Sequence, residues 1–216
     1  MIEELRRKVS TEEFDYQILL EVLKEYQRPR DKITALLKRR DIIRVKKGIY
    51  IFGERYARQP FSKEVLANMI FGPSYVSLDY ALHYYGLIPE RVETVTSVTP
   101  NQNRRFSTPV GLFTYRKIPL SAYPIGIDQI EIEGRRFLMA TPEKALCDKL
   151  YDARGVGIRS QSEMKEYLFT SLRIEEDMLG RLDSGILSSM AERYRSRKMR
   201  LLSRLTGSKA TGGGGT

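Results

Sequence analysis

From Phe14 to Tyr26 the apolar residues Phe14, Ile18, Leu19, Val22, Leu23 and Tyr26 recur at three- and four-residue spacing, the pattern of a helix with one buried face. Ser10-Thr11-Glu12-Glu13 just ahead offers a hydroxyl for the first free amides and acids for the positive end of the dipole. The spacing therefore predicts a helix that starts there and ends near Gln27, with Pro29 enforcing the break. Asp31 is the expected N-cap of a second helix whose stripe is Ile33, Leu36 and Leu37, with Thr34, Ala35, Lys38 and Arg39 opposite. Ile42 to Gly53 is two β-branched runs around a Lys47-Gly48 turn, which predicts a hairpin.

Residues 54–60 have no period and include Pro60, so a domain boundary is placed there. A helix capped by Ser62 runs through Val65, Leu66, Met69 and Ile70 to Gly72-Pro73, and a shorter one spans Leu78 to Tyr85, ending at Gly86. Strand-like runs follow at 92–98, 104–107, 112–118, 129–132 and 135–140, the last two joined by the turn Glu133-Gly134. Thr141-Pro142-Glu143 opens another helix. From Ser162 to about Leu205 the pattern is helical, with Asp183-Ser184 capping one long last helix, and 206–216 reads as a flexible tail. The expected architecture is α+β: a unit over 1–53, a linker over 54–60, and a mixed unit over 61–205 with a small antiparallel sheet and C-terminal helices.

Charge changes the picture. The chain of 216 residues carries 37 lysines and arginines against 27 acids, a formal charge of +10. Residues 1–27 are net −3 and residues 54–192 net −1, whereas 28–47 hold nine bases against Asp31 and Asp41, a net of +7. Residues 193–204 hold six bases and no acid, a net of +6. An excess gathered in two short stretches asks for an anionic partner. One cysteine, Cys147, cannot form an internal disulfide, and with one histidine, His83, it cannot make a zinc cluster. No spanning segment is expected, nor any membrane partner, and the protein is read as cytoplasmic. No cofactor motif is expected either, because Gly155-Val156-Gly157 lacks the third glycine and helix signal of a phosphate loop.

Two helices and a basic hairpin have the order of a winged helix-turn-helix, in which a helix enters the DNA major groove and the hairpin tip reaches the backbone beside it. On that reading Thr34 and Lys38 face bases, Arg28, Arg30, Arg44, Lys46 and Lys47 meet phosphates, and Lys32 and Arg39 are further DNA-binding candidates. Arg28 and Arg30 lie just before the expected helix N-terminus, on the unfavourable side of its dipole, and gain from an external anion.

In the second unit, Ser74-Tyr75-Val76-Ser77-Leu78, then Ala81 through Glu90, Thr96-Ser97-Val98-Thr99, and Ala140-Thr141-Pro142-Glu143-Lys144-Ala145-Leu146-Cys147-Asp148 together resemble the AbiEi family. The hairpin Arg44 to Tyr50 is similar to that family's wing, and the resemblance runs over about 30–155. It implies a winged helix-turn-helix in front of an antitoxin domain, in a type IV toxin-antitoxin system. Such a protein binds inverted repeats in its own promoter as double-stranded DNA, represses its operon and counters a co-encoded nucleotidyltransferase toxin without being an enzyme itself. The stretch before Asp31 is brief for a three-helix reader of this kind, so either residues 1–10 supply its first helix or the unit is a trimmed one.

The residues alone leave alternatives. Asp79 and His83, one helical turn apart, suit an acid-base pair, or a half-buried histidine among Tyr80, Tyr84 and Tyr85. Glu143, Lys144, Cys147 and Asp148 suggest a nuclease-like cluster or nucleophile, set against a reading of Cys147 as core. A nucleic-acid-processing enzyme targeted by the basic unit is thus the competing function, and a stand-alone regulator a third. Arg193, Arg195, Arg197, Lys198 and Arg200 would contact DNA or an acidic partner, or simply surround a packed helix.

Overall fold

The computed structural model describes residues 1–153 and 155–210, with side chains to Thr206. The protein is a mixed α+β structure with ten α-helices and two sheets, of three and six strands, among the described residues.

The chain opens with α1 (Ile2–Lys8), β1 (Glu13–Asp15), α2 (Tyr16–Val22), α3 (Pro29–Lys38), β2 (Ile42–Lys46) and β3 (Ile49–Phe52). The expected helix start at Ser10 is corrected to a strand. Glu13, Phe14 and Asp15 pair antiparallel with Ile51, Tyr50 and Ile49, placing Phe14 against Tyr50 and Phe52 at ring distances of 6.1 and 4.8 Å. Burying that ring outweighs the local capping signal, and the helix begins two residues later with Asp15 accepting from the Ile18 amide. It stops at Val22, short of Gln27. Pro29, read as a break, instead occupies the first turn of α3, where its missing N–H costs nothing; the cap position is Arg28, and Asp31 lies in the first turn. Leu5, Leu19, Leu23, Ile33, Leu36 and Ile42 close a small core around Phe14. Gly53 is required where β3 leaves it, since a Cβ there would lie 1.9 Å from the Arg40 carbonyl oxygen.

The larger sheet has the order β6-β7-β5-β4-β9-β8, from β4 (Tyr75–Val76), β5 (Val95–Thr99), β6 (Arg104–Thr108), β7 (Gly111–Lys117), β8 (Ile127–Ile132) and β9 (Arg135–Ala140). It is not the small antiparallel sheet expected, because β5–β7 and β4–β9 are parallel pairs. The two-residue β4 in the middle is too short to show a period. α4 (Lys63–Ile70), α5 (Leu78–Tyr84) and α6 (Pro142–Asp152) pack with this sheet. Ser62 and Thr141 cap α4 and α6 through the Val65 and Lys144 amides, as their positions predict. The hairpin serves both cores, for Val45, Ile49 and Ile51 belong to the larger one.

After Ser160 caps α7 (Gln161–Glu166), a π-helical turn (Tyr167–Ser171), α8 (Glu176–Gly180), α9 (Ser184–Tyr194) and α10 (Arg197–Ala210) replace the single long last helix. Asp183 does cap α9, through Gly185 and Ile186, but Arg195 takes a left-handed conformation with φ of 49° and ends it. α10 then packs along α9, which buries Leu187 and Met190 with Met199 and Leu202, as one continuous rod would not. The predicted tail start is also corrected, since 206–210 continue α10, while 211–216 lie outside the described residues. No helix among the described residues is long and apolar enough to cross a membrane.

Candidate nucleic-acid interface

α3 turns its apolar stripe, Ile33 and Leu36, into the small core and leaves Arg30, Thr34 and Lys38 exposed. Spaced four apart, these three form one ridge on the outer face. The Thr34 hydroxyl donates to the Arg30 carbonyl at 3.0 Å, so the side chain is pinned against its own helix. Arg28 and Arg30 flank a groove of about 550 Å3 at the start of α3, lined also by Tyr16, Leu20, Gln27 and Asp31. Lys32 is exposed and held 5.3 Å from the Tyr26 ring. Arg39 pairs with the buried Asp41 at 3.0 Å, fastening the end of α3 to the start of β2.

On the hairpin, Arg44 and Lys47 are exposed, and the Gly48 carbonyl accepts from the Tyr16 amide at 2.9 Å, tying the tip to the start of α2. Lys46 departs from its expected role. Its Nζ donates to the Ile70 carbonyl at 2.5 Å and lies 4.4 Å from the Phe106 ring centroid. Burial, and then the nearby charge of Arg104, hold this ammonium below the usual lysine range. Lys46 fastens the hairpin to the second sheet instead of standing free for a phosphate.

The C-terminal bases divide in the same way. Arg197 donates to the Arg159 carbonyl at 2.7 Å, and Lys198 reaches the Ala153 carbonyl at 2.5 Å, with burial lowering its pKa. Arg193 is exposed, and its carbonyl accepts from Ser121. Arg195 and Arg200 line an open groove between α9 and α10 with Arg204, a residue outside the expected set. The helix break thus divides bases that a single rod would have carried around one axis.

The expected acid-base pair does not assemble. Asp79 binds Lys149 at 2.7 Å, and His83 faces solvent, so it is neither a partner of Asp79 nor half-buried. Cys147 is fully buried and its thiol pushed up by burial, which suits core and not a nucleophile. Lys144 and Asp148, four residues apart on α6, do converge: they pair at 3.1 Å with neither side chain exposed. Around them the Ala122 carbonyl accepts from Lys144 at 2.9 Å, and Asp148 accepts from Ser77 at 2.6 Å, from Tyr75 at 3.3 Å and from Tyr194. Burial first, and the Asp148 charge second, keep both phenols protonated as donors. A cluster sealed from solvent holds elements together and admits no substrate. The spacing in the sequence could have shown the pair, but not its burial. Among the described residues no group of three His, Cys, Asp or Glu is placed to hold a metal ion.

Compared with known proteins, the chain matches no family model and no curated sequence.

Proposed function

We propose that the protein is a DNA-binding antitoxin that represses its own operon, with residues 1–53 as a winged helix-turn-helix reader. The observation that carries the DNA-binding half is the ridge Arg30, Thr34 and Lys38 on the exposed face of α3, with Arg44 and Lys47 on the hairpin that follows it. None of these four bases has a carboxylate within 4.0 Å among the described residues, and α3 sits on its own small core. A helix with an apolar inner face, cations outside and a basic hairpin meets what groove insertion and phosphate contact require. The antitoxin half, and the nucleotidyltransferase toxin as its counterpart, rest on the resemblance of Ser74–Glu90 and Ala140–Asp148 to the AbiEi family. The competing enzyme reading lacks support at Asp79 and His83, which are occupied and solvent-facing respectively.

Mobility shifts on a duplex of the protein's own promoter, from 50 to 200 mM salt, test the reading. With some six phosphates neutralised, log affinity falls against log salt with a slope of roughly −5, and Arg30→Ala or Lys38→Ala weakens binding. Binding insensitive to salt and to both substitutions would overturn it. Co-expression of the full chain carrying Arg30→Ala and Lys38→Ala with a neighbouring nucleotidyltransferase, scored by growth, tests the antitoxin half separately.

A further inference from the structure

We infer that strand β6 of the second unit extends the DNA-contacting surface beyond the hairpin, with Arg104 as a further contact to a backbone phosphate. This rests on the DNA-binding reading and adds to it a residue outside the expected reader.

The hairpin does not project freely. Val45, Ile49 and Ile51 are buried in the larger core, and Lys46 bridges the Ile70 carbonyl and the face of Phe106. Phe106 is itself seated by Phe71 and Tyr115 at ring distances of 6.0 and 5.8 Å. Side chains two apart on a strand share a face, so Arg104 lies on the same side of β6 as Phe106, the side that meets Lys46. Arg105 is on the other. Arg104 is exposed at the edge of the sheet, and close enough to Lys46 for its charge to disfavour the ammonium.

Lys46 and Arg104 thus meet where hairpin and sheet join, and neither has a carboxylate within 4.0 Å among the described residues. Cations gathered without an acid repel one another, and an anion laid across them removes that cost. The occupant is the phosphate backbone of the same duplex the reader binds, since Lys46, which meets β6 at Phe106, is the chain neighbour of the exposed Lys47 at the hairpin tip. Lys46, drawn inward, is replaced on the outer surface by Arg104, whose planar guanidinium suits a phosphate oxygen pair.

The test compares full-length variants on the promoter duplex from 50 to 200 mM salt. Arg104→Ala is expected to flatten the salt slope by about 0.9 and to weaken binding at 0.1 M salt by roughly five- to tenfold, the value of one phosphate contact. Arg104→Lys keeps the slope, and Arg105→Ala, on the opposite face, leaves slope and affinity as they were. A wild-type slope in Arg104→Ala, while Arg30→Ala and Lys38→Ala flatten it, overturns this inference and leaves the reader intact. A wild-type slope in all three overturns the DNA-binding reading and this inference with it.

Discussion

Lys144 and Asp148 are charged residues with no exposure, and their cost in desolvation is offset only because each lone pair and proton finds a partner. Gly126 belongs to the same arrangement, for a Cβ there would lie 2.9 Å from the Lys144 Cβ and 2.5 Å from the Met190 Cε. Asp148→Ala leaves the ammonium buried and removes the acceptor of Ser77, Tyr75 and Tyr194. It should cost about 3–5 kcal/mol, read as a drop of roughly 6–20 °C in the thermal midpoint. Adding Lys144→Met should recover part of the loss and not all, because the three hydroxyls still lack their acceptor; a double variant no more stable than Asp148→Ala would count against a paired role. At this scale, three caps were legible in the sequence, since Ser62, Thr141 and Asp183 act through neighbouring amides, whereas Ser10 and Asp31 cap no helix. The buried pair was not, because charged side chains read as solvated unless the fold supplies their partners from Ser77 and Tyr194, distant in the chain.

Helices with a clear stripe were also legible, and α3 is the best case. Leu36 is fully buried at the centre of the small core and anchors the ridge of Arg30, Thr34 and Lys38 from behind. Leu36→Ala should therefore cost about 2–5 kcal/mol by cavity formation, visible in a denaturant titration followed by circular dichroism. A change below about 1 kcal/mol would mean the core around α3 is not close-packed. Elements whose existence depends on pairing were not legible. β1 is set by the neighbouring β3, and β4 is two residues long between strands met later in the chain. The break at Arg195 carries no glycine or proline, the usual marks of a helix end, and only the packing of α10 on α9 accounts for it. Hence the DNA-facing candidates on α3 stayed together in space, while the C-terminal ones were dispersed.

Across the whole molecule the two cores meet at a seam of buried carboxylates. Glu12 accepts from Arg6 at 2.7 Å and from the Arg58 amide at 3.2 Å; Glu13 accepts from the Ser62 amide and faces Arg135 at 3.9 Å. The C-terminal end of the connecting segment is thereby held by Glu12 and by Glu13 of β1, a use of these two residues that their sequence position before an expected helix did not suggest. Arg135 is in turn shared with Glu133 and the Pro60 carbonyl. Burial raises the Glu13 carboxyl above its ordinary value, and the Glu12 charge adds to this, against the lowering by the Ser62 amide and Arg135. A raised folded-state pKa means the folded protein holds this proton to higher pH than the unfolded chain does. The site's contribution therefore declines as pH rises from about 4 through the raised value, and is level above it. Glu13→Gln cannot ionise and keeps an oxygen for the Ser62 amide, so its stability relative to the wild type should increase over that interval and then stay constant. Urea titrations of both proteins from pH 4 to 8 measure the difference directly. A difference that is flat with pH, or that moves toward the wild type as pH rises, would show that Arg135 governs Glu13 and that the seam is an ion pair instead of a desolvated acid.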